Sequence, residues 1–198
     1  MGKRRESRPA RSMKPVFVVF CEGETEEAYL DFLKQTYRSP FKIIPKVEGG
    51  KISQHLIRTR CREVKISPNE KIQVFLMYDM DKPEITEKLL QLKAHLLLSN
   101  PCIELWFLLH CKDQKTAIST EDAIKALKHI GAPWSRYKKP EISTTQKEYL
   151  KLHVREAMER ATSLPVHGNP SSDIHHLIKS IMKSFQSGYH LDNNECCK

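Results

Sequence analysis

Two carboxylates stand one residue apart at Asp79-Met80-Asp81, directly after the apolar and aromatic run Val74-Phe75-Leu76-Met77-Tyr78. Such a run, bounded by polar residues, reads as a strand buried on both faces, as in a parallel sheet. With the strand ending near Tyr78, both acids fall at its C-terminal edge, where open α/β sheets bind ligands. Their i, i+2 spacing lets them point to one side, and oxygen ligands so placed suit a hard divalent cation such as Mg²⁺ or Mn²⁺. The same residues also read as a polar turn, with Asp81 capping the helix after Pro83.

A second acidic stretch, Glu22-Gly23-Glu24-Thr25-Glu26-Glu27, follows a β-branched and aromatic run over residues 15–21. Gly23 suits a tight turn, and Thr25 suits a helix cap with acids in the first turn. Ala28, Tyr29, Phe32 and Leu33 then recur at helical spacing, which predicts an amphipathic helix over residues 25–37. In nucleotide-binding folds this turn is Gly-rich and cradles phosphate. Glu22 would repel a bare phosphate there unless a metal stood between them.

The elements that must position these acids alternate. Residues 41–47 read as a short strand that Pro45 demotes to an edge, and residues 51–65 as a helix with Arg58, Arg60, Arg62 and Lys65 on its polar side. The strand before Asp79 follows, then a helix over 84–94 and a strand over 95–99. This βαβαβ order predicts a mostly parallel sheet with crossover helices. Asn100-Pro101 breaks the chain, and residues 102–110 are apolar nearly all round except for Glu104 and His110. A carboxylate in so apolar a segment costs several kcal/mol unless paired or metal-bound, so Glu104 is either salt-bridged in the core or part of a site. Helices are predicted over 119–130, 144–163 and from 174 onward, the last capped by Ser171 or Ser172.

The 198 residues carry a formal charge of +9, of which +5 falls in residues 1–14 (Lys3, Arg4, Arg5, Arg8, Arg11 and Lys14 against Glu6). Such an arm is expected to be disordered, and it serves either nucleic-acid contact or solubility. No stretch approaches the ~18 apolar residues of a membrane span, and no signal-peptide segment opens the chain. A soluble, cytoplasmic protein without membrane contacts is expected. The six cysteines show no Cys-x-x-Cys pair and read as reduced thiols.

Two central strands thus deliver Glu22, Asp79 and Asp81 to one edge. Three acids there cannot all stay ionised and unpaired. A divalent metal resolves the conflict, and its natural task is phosphodiester chemistry.

The order Cys21-Glu22-Gly23-x-Thr25-Glu26 after a first strand, then Asp79-x-Asp81 after a third, resembles a Toprim domain, the module of topoisomerases, primases and certain nucleases. A fuller set resembles the RloB family of bacterial Toprim proteins. It comprises Glu22-Gly-Glu-Thr-Glu-Glu-Ala-Tyr-Leu30, Asp79-x-Asp81, Asn100-Pro-Cys-Ile-Glu104-Leu-Trp-Phe-Leu-Leu-His110 and Asn169-Pro-Ser-Ser-Asp-Ile-His-His-Leu177. The likeness implies a Toprim core over 15–112, a helical elaboration over 113–185 and a frayed tail over 186–198. It also implies a Mg²⁺- or Mn²⁺-dependent nuclease acting on tRNA, other RNA or DNA as a bacterial anti-phage or restriction-linked effector. An ABC-type ATPase is the implied partner, and homo-oligomerisation is compatible with the pattern. Glu22 carries over as the Toprim acid, Asp79 and Asp81 as metal ligands, and Glu26 and Glu104 as further members of the catalytic set.

Weaker signals remain two-sided. His110 is a base or ligand, or a hydrogen-bonded core residue. His175 and His176 are adjacent on a helix and point apart, which disfavours their joint use as ligands; they either join the site or pack against the Asn100 segment. The basic loop Arg136-Tyr137-Lys138-Lys139, with Trp134, either grips a nucleic-acid backbone and stacks a base or is a solvated loop. A non-catalytic nucleic-acid-binding or adaptor module docking on a partner ATPase is the alternative to the nuclease.

Overall fold

Successive residues of a strand face opposite sides of its sheet, and both sides are covered here. In the computed structural model, which describes residues 14–39 and 41–186, Phe17, Val19, Cys21, Phe75, Met77 and Leu97 enter one buried cluster. Their alternates Val18, Phe20, Leu76, Tyr78 and Leu98 enter another. Continuous apolar runs are therefore required, as in any sheet sandwiched between helices.

The strands are β1 (Lys14–Cys21), β2 (Phe41–Ile44), β3 (Glu70–Asp79), β4 (His95–Asn100) and β5 (Ser171–Ser172), in the spatial order β2-β1-β3-β4-β5. The first four run parallel, and β5 pairs antiparallel with β4. Among the described residues the helices are α1 (Glu24–Tyr37), α2 (Gln54–Glu63), α3 (Pro83–Leu90), α4 (Ile103–Cys111), α5 (Thr120–His129), α6 (Thr144–Leu152), α7 (Val154–Thr162) and α8 (Ile174–Gln186). The fold is the mostly parallel α/β sheet with flanking helices that the alternation predicts. The chain leaves β1 toward β2 on one side and returns to β3 on the other, so the topological switch point lies between β1 and β3.

The two faces are unequal. Ile57 of α2 and Leu89 of α3 cover one. The other carries Tyr29, Leu30 and Leu33 of α1, nearly all of α4, and then α5 to α8, in one continuous cluster. Residues 103–110 of α4 are all buried, which explains a segment apolar all round: it is wrapped by the sheet on one side and by the later helices on the other. Trp106 donates from its indole N–H to the Tyr29 hydroxyl at 2.7 Å, fixing α4 to α1.

Several boundaries differ from the sequence reading. Gly23, not Thr25, is the N-cap of α1, and Thr25 is buried inside the first turn. Lys82 rather than Asp81 precedes the first turn of α3, with Pro83 at its start. Helix α2 is shorter than expected because Ser53 begins it, its hydroxyl accepting from the Leu56 N–H at 3.1 Å. Helix α3 stops at Leu90, where the chain turns into β4. The single helix expected over 144–163 is two, because His153 leaves helical geometry at φ −103°, ψ 18°. Ser171 and Ser172 form an edge strand in place of a cap: a Ser99–Ser172 hydroxyl contact of 3.2 Å joins the backbone pairing. Gln186, assigned to the frayed tail, closes α8. The basic arm, apart from Lys14 at the start of β1, and the residues after Gln186 lie outside the described residues.

Candidate functional site

The site forms where β1 and β3 end. In the β1/β3 register Cys21 pairs with Met77, so Glu22 leaves β1 at the level where β3 runs on to Tyr78 and Asp79. Asp79 in turn pairs with Ser99 of β4, and the Met80 N–H donates to the Ser99 carbonyl at 2.8 Å, so the ladder carries on one residue past the strand end. Beside this edge is a cleft of about 430 Å³ lined by Glu22, Gly23, Glu24, Thr25, Glu26, Asp79, Asp81, Lys139 and Pro140. The three acids derived from the strand ends, and Glu26 from the first turn of α1, are therefore brought together at the switch point.

Burial divides these acids. Glu22 and Asp81 are exposed and free to reorient, whereas Glu26 is buried and Asp79 half-buried. Burial pushes the Asp79 carboxyl well above the usual carboxylate range; Glu26, Glu104 and Asp81 push the same way, against Lys139. Glu26 is also raised, first by burial and then by Glu104 and Glu22, while its own backbone N–H and Lys139 oppose the shift. Both groups hold a proton more tightly than ordinary acids because negative charge is crowded into a poorly hydrated place.

Glu104 lies in the first turn of α4 and is 0% exposed. Its Oε1 accepts from the Tyr137 hydroxyl at 2.8 Å and sits 2.9 Å from Lys139 Nζ. From sequence Glu104 is either salt-bridged in the core or part of a site; the residue that pairs with it, Lys139, itself lines the acidic cleft. Asp79 Oδ1 and Glu104 Oε2 are buried without a hydrogen-bond partner. Buried carboxylate oxygens are ordinarily satisfied, and two orphaned ones beside exposed Glu22 and Asp81 make an all-oxygen donor set that suits Mg²⁺ or Mn²⁺. Among the described residues no group of three or more His, Cys, Asp and Glu side chains is arranged to hold a metal ion as it stands. The residue types fit the cation; side-chain rotation at the exposed acids would complete the coordination.

The basic loop is divided otherwise than its sequence implies. Tyr137 is 2% exposed and Trp134 fully buried, and both pack on Phe107 of α4. Neither ring is presented for stacking on a base, because α4 needs their area to cover its outer side. Arg136 and Lys138 are exposed and line a separate groove of about 550 Å³ with Ser135, Ser143 and Thr145. That groove is the larger of the two, and it gathers no cluster of acids. Lys139 faces the acids.

The histidines fall outside the cleft. His110 sits six residues beyond Glu104 along α4, roughly 9 Å at the helical rise. It donates from Nδ1 to the Trp106 carbonyl at 2.8 Å, and burial lowers its pKa to about 3. It is a neutral core residue. His175 is buried and contacts the Ser172 carbonyl through Nδ1 at 3.0 Å; its ring meets that of His176 at a tilt of 38°, centres 4.0 Å apart, so the two imidazoles do not point apart as their adjacency suggests. His175 thus contacts β5, which itself pairs with the strand ending at Asn100.

Sequence reasoning did not anticipate the Tyr137 and Lys139 contacts with Glu104. The available signal was electrostatic: a carboxylate in an apolar helix requires a partner, and a loop rich in cations and hydroxyls can supply one.

An α/β protein with an acidic cleft at the β1/β3 switch point is the class these features define. The chain belongs to the family of RloB-like proteins, whose family model matches residues 17–181. No curated protein and no solved structure gives a significant match. No helix among the described residues is long and apolar enough to cross a membrane.

Proposed function

We propose that this protein is a Mg²⁺- or Mn²⁺-dependent nuclease that hydrolyses phosphodiester bonds in the cleft between β1 and β3. The observation that carries the reading is the convergence of Glu22, Glu26, Asp79 and Asp81 on one cleft, with an unpartnered buried oxygen on Asp79. When bound, a divalent cation supplies Lewis-acid polarisation of the phosphate and a more acidic water.

The chain's own residues divide the remaining work. Asp79, Asp81 and Glu22 provide the oxygens that hold the cation. Glu26, buried and with its carboxyl raised above the usual carboxylate range, holds a proton more tightly than a surface acid and is suited to deliver it to a leaving oxygen. Exposed Arg136 and Lys138 attract the nucleic-acid backbone at the neighbouring groove. RNA, including tRNA, or DNA is the substrate, and the family likeness supports a place in phage defence beside an ABC-type ATPase.

A non-catalytic nucleic-acid-binding or adaptor module is the second reading. The observation that favours it is that Lys139, a residue of the chain itself, supplies a counter-charge to Glu104.

The deciding experiment incubates full-length protein, alone and with the ATPase from its own locus, with RNA and DNA in Mg²⁺, Mn²⁺ or EDTA. Metal-dependent cutting that is lost in Glu22→Gln and Asp79→Asn, with melting temperatures unchanged or raised, supports the nuclease. Nucleic-acid affinity that survives both substitutions, with no cutting in any condition, supports the binding module.

A further inference from the structure

Lys139 is the one cation among the described residues lining a cleft that contains five carboxylates. Its ammonium points inward, 2.9 Å from an oxygen of fully buried Glu104, although its side chain is 42% exposed. A lysine on an exposed loop ordinarily keeps its head group hydrated. Here burial alone would depress the Lys139 ammonium, yet contact with Glu104 and the nearness of Asp79 outweigh that and hold it above its ordinary value. The nearby Lys46–Glu24 pair at 3.5 Å is exposed on both sides and leaves the buried acids untouched.

The location of this charge is informative. Glu104 keeps its second oxygen unpartnered, and Oδ1 of Asp79 is likewise buried without a partner. Lys139 therefore satisfies only part of a donor set whose charge calls for more than one positive unit. Tyr137, two residues earlier on the same loop, donates to the same Glu104 oxygen through an anchored ring, and that bond does not depend on Lys139. Glu104 would thus remain held if Lys139 moved away.

We propose that Lys139 is a resident counter-cation of the acidic cleft: it neutralises Glu104 in the metal-free protein and gives up that place when a divalent cation enters. The inference rests on the metal-dependent reading above and adds a competition to it. Departure of Lys139 turns its ammonium outward, toward the groove that Arg136 and Lys138 already line. Metal loading and the basic surface are thereby coupled through one side chain. The loop needs no refolding for this, because Trp134 and Tyr137 stay packed on Phe107.

The test is Mn²⁺ binding to the full chain, followed by the loss of free-Mn²⁺ electron paramagnetic resonance signal, for wild type, Lys139→Gln, Lys139→Met, Lys139→Arg and Asp79→Asn. Lys139→Gln keeps a donor for Glu104 without the charge and decides the matter if Lys139→Met does not fold. The expected result is Mn²⁺ binding tightened about tenfold in Lys139→Gln, the order for removing a like charge a few ångströms away. Lys139→Arg should remain close to wild type. If Mn²⁺ binds wild type and is lost in Asp79→Asn, but Lys139→Gln binds equally or more weakly, the counter-cation role is overturned while the metal site stands. If Mn²⁺ binds neither wild type nor Lys139→Gln, the metal reading fails and this inference fails with it.

Discussion

The carboxylate of Glu26 rests against the Cα of Gly23, so that a Cβ built on Gly23 would collide with Glu26 Oε2. Gly23 has φ −94°, a value any residue adopts. Glycine is needed at this turn for space, not for backbone freedom, and the space belongs to a carboxylate that lines the acidic cleft.

Gly23→Ala should therefore act on the site more than on the fold. The alanine adopts the native backbone and displaces only the end of the Glu26 side chain. Stability should change by about 0.5 kcal/mol or less, which is roughly 1–2 °C in melting temperature for a chain of this size. Metal-dependent cleavage should fall about a hundredfold, the lower end of what a positioned proton donor supplies. A melt and a cleavage assay on the same preparation separate the two effects.

Tyr137→Phe removes one of the two groups holding Glu104 and leaves the ring packing intact. A hydrogen bond to a charged group is worth about 1.5–3 kcal/mol. Differential scanning calorimetry should show a fall of roughly 3–12 °C in the metal-free protein. An unchanged melting temperature would mean that the bond contributes nothing to stability.

The raised carboxyl of Asp79 gives a signed pH dependence. In the unfolded chain this group titrates near 3.8, and in the folded protein well above that. Between those values the native state binds more protons than the unfolded state, so stability falls as pH rises through the window and stays reduced above it. In EDTA, Asp79→Asn should melt at a higher temperature than wild type at pH 8 and show a shallower decline from pH 4 upward. Parallel melting curves across that range would contradict the assignment.

His110 works in the opposite direction. Its pKa drops from 6.5 to about 3 on folding, so below pH 6.5 the unfolded chain takes up a proton that the native state refuses. Stability is lost as pH falls through that interval. His110→Leu should weaken the protein at neutral pH, because the Trp106 carbonyl loses its side-chain contact, yet flatten the acid slope. Melting temperatures between pH 4 and 7 measure both.

The sheet and the acids at its edge were legible because each rests on local chemistry. Residues 74–78 and 15–21 are short β-branched and aromatic runs that read as doubly buried strands, and a carboxylate directly after such a strand falls at its end. The partners of Glu104 were hidden for the opposite reason. Tyr137 and Lys139 come 33 and 35 positions later in the sequence, and no period links a loop to a helix. Trp134 and Tyr137 misled because an aromatic between cations has the same sequence pattern whether it covers a helix or waits for a base. Ser171 and Ser172 misled because two serines before an apolar stretch are the usual chemistry of a helix start, and only the open edge of β4 makes them a strand.

That short edge strand also governs when the protein can assemble. Ser172 closes on Ser99 across 73 residues, and α4 lacks its outer cover until Trp134 and Tyr137 have been made. A nascent chain that has emerged only as far as residue 112 exposes a helix apolar on every side and a carboxylate with neither of its donors. Exposed apolar surface of that kind favours aggregation. The acidic cleft is therefore assembled late in synthesis, so a truncated product would not carry a finished site.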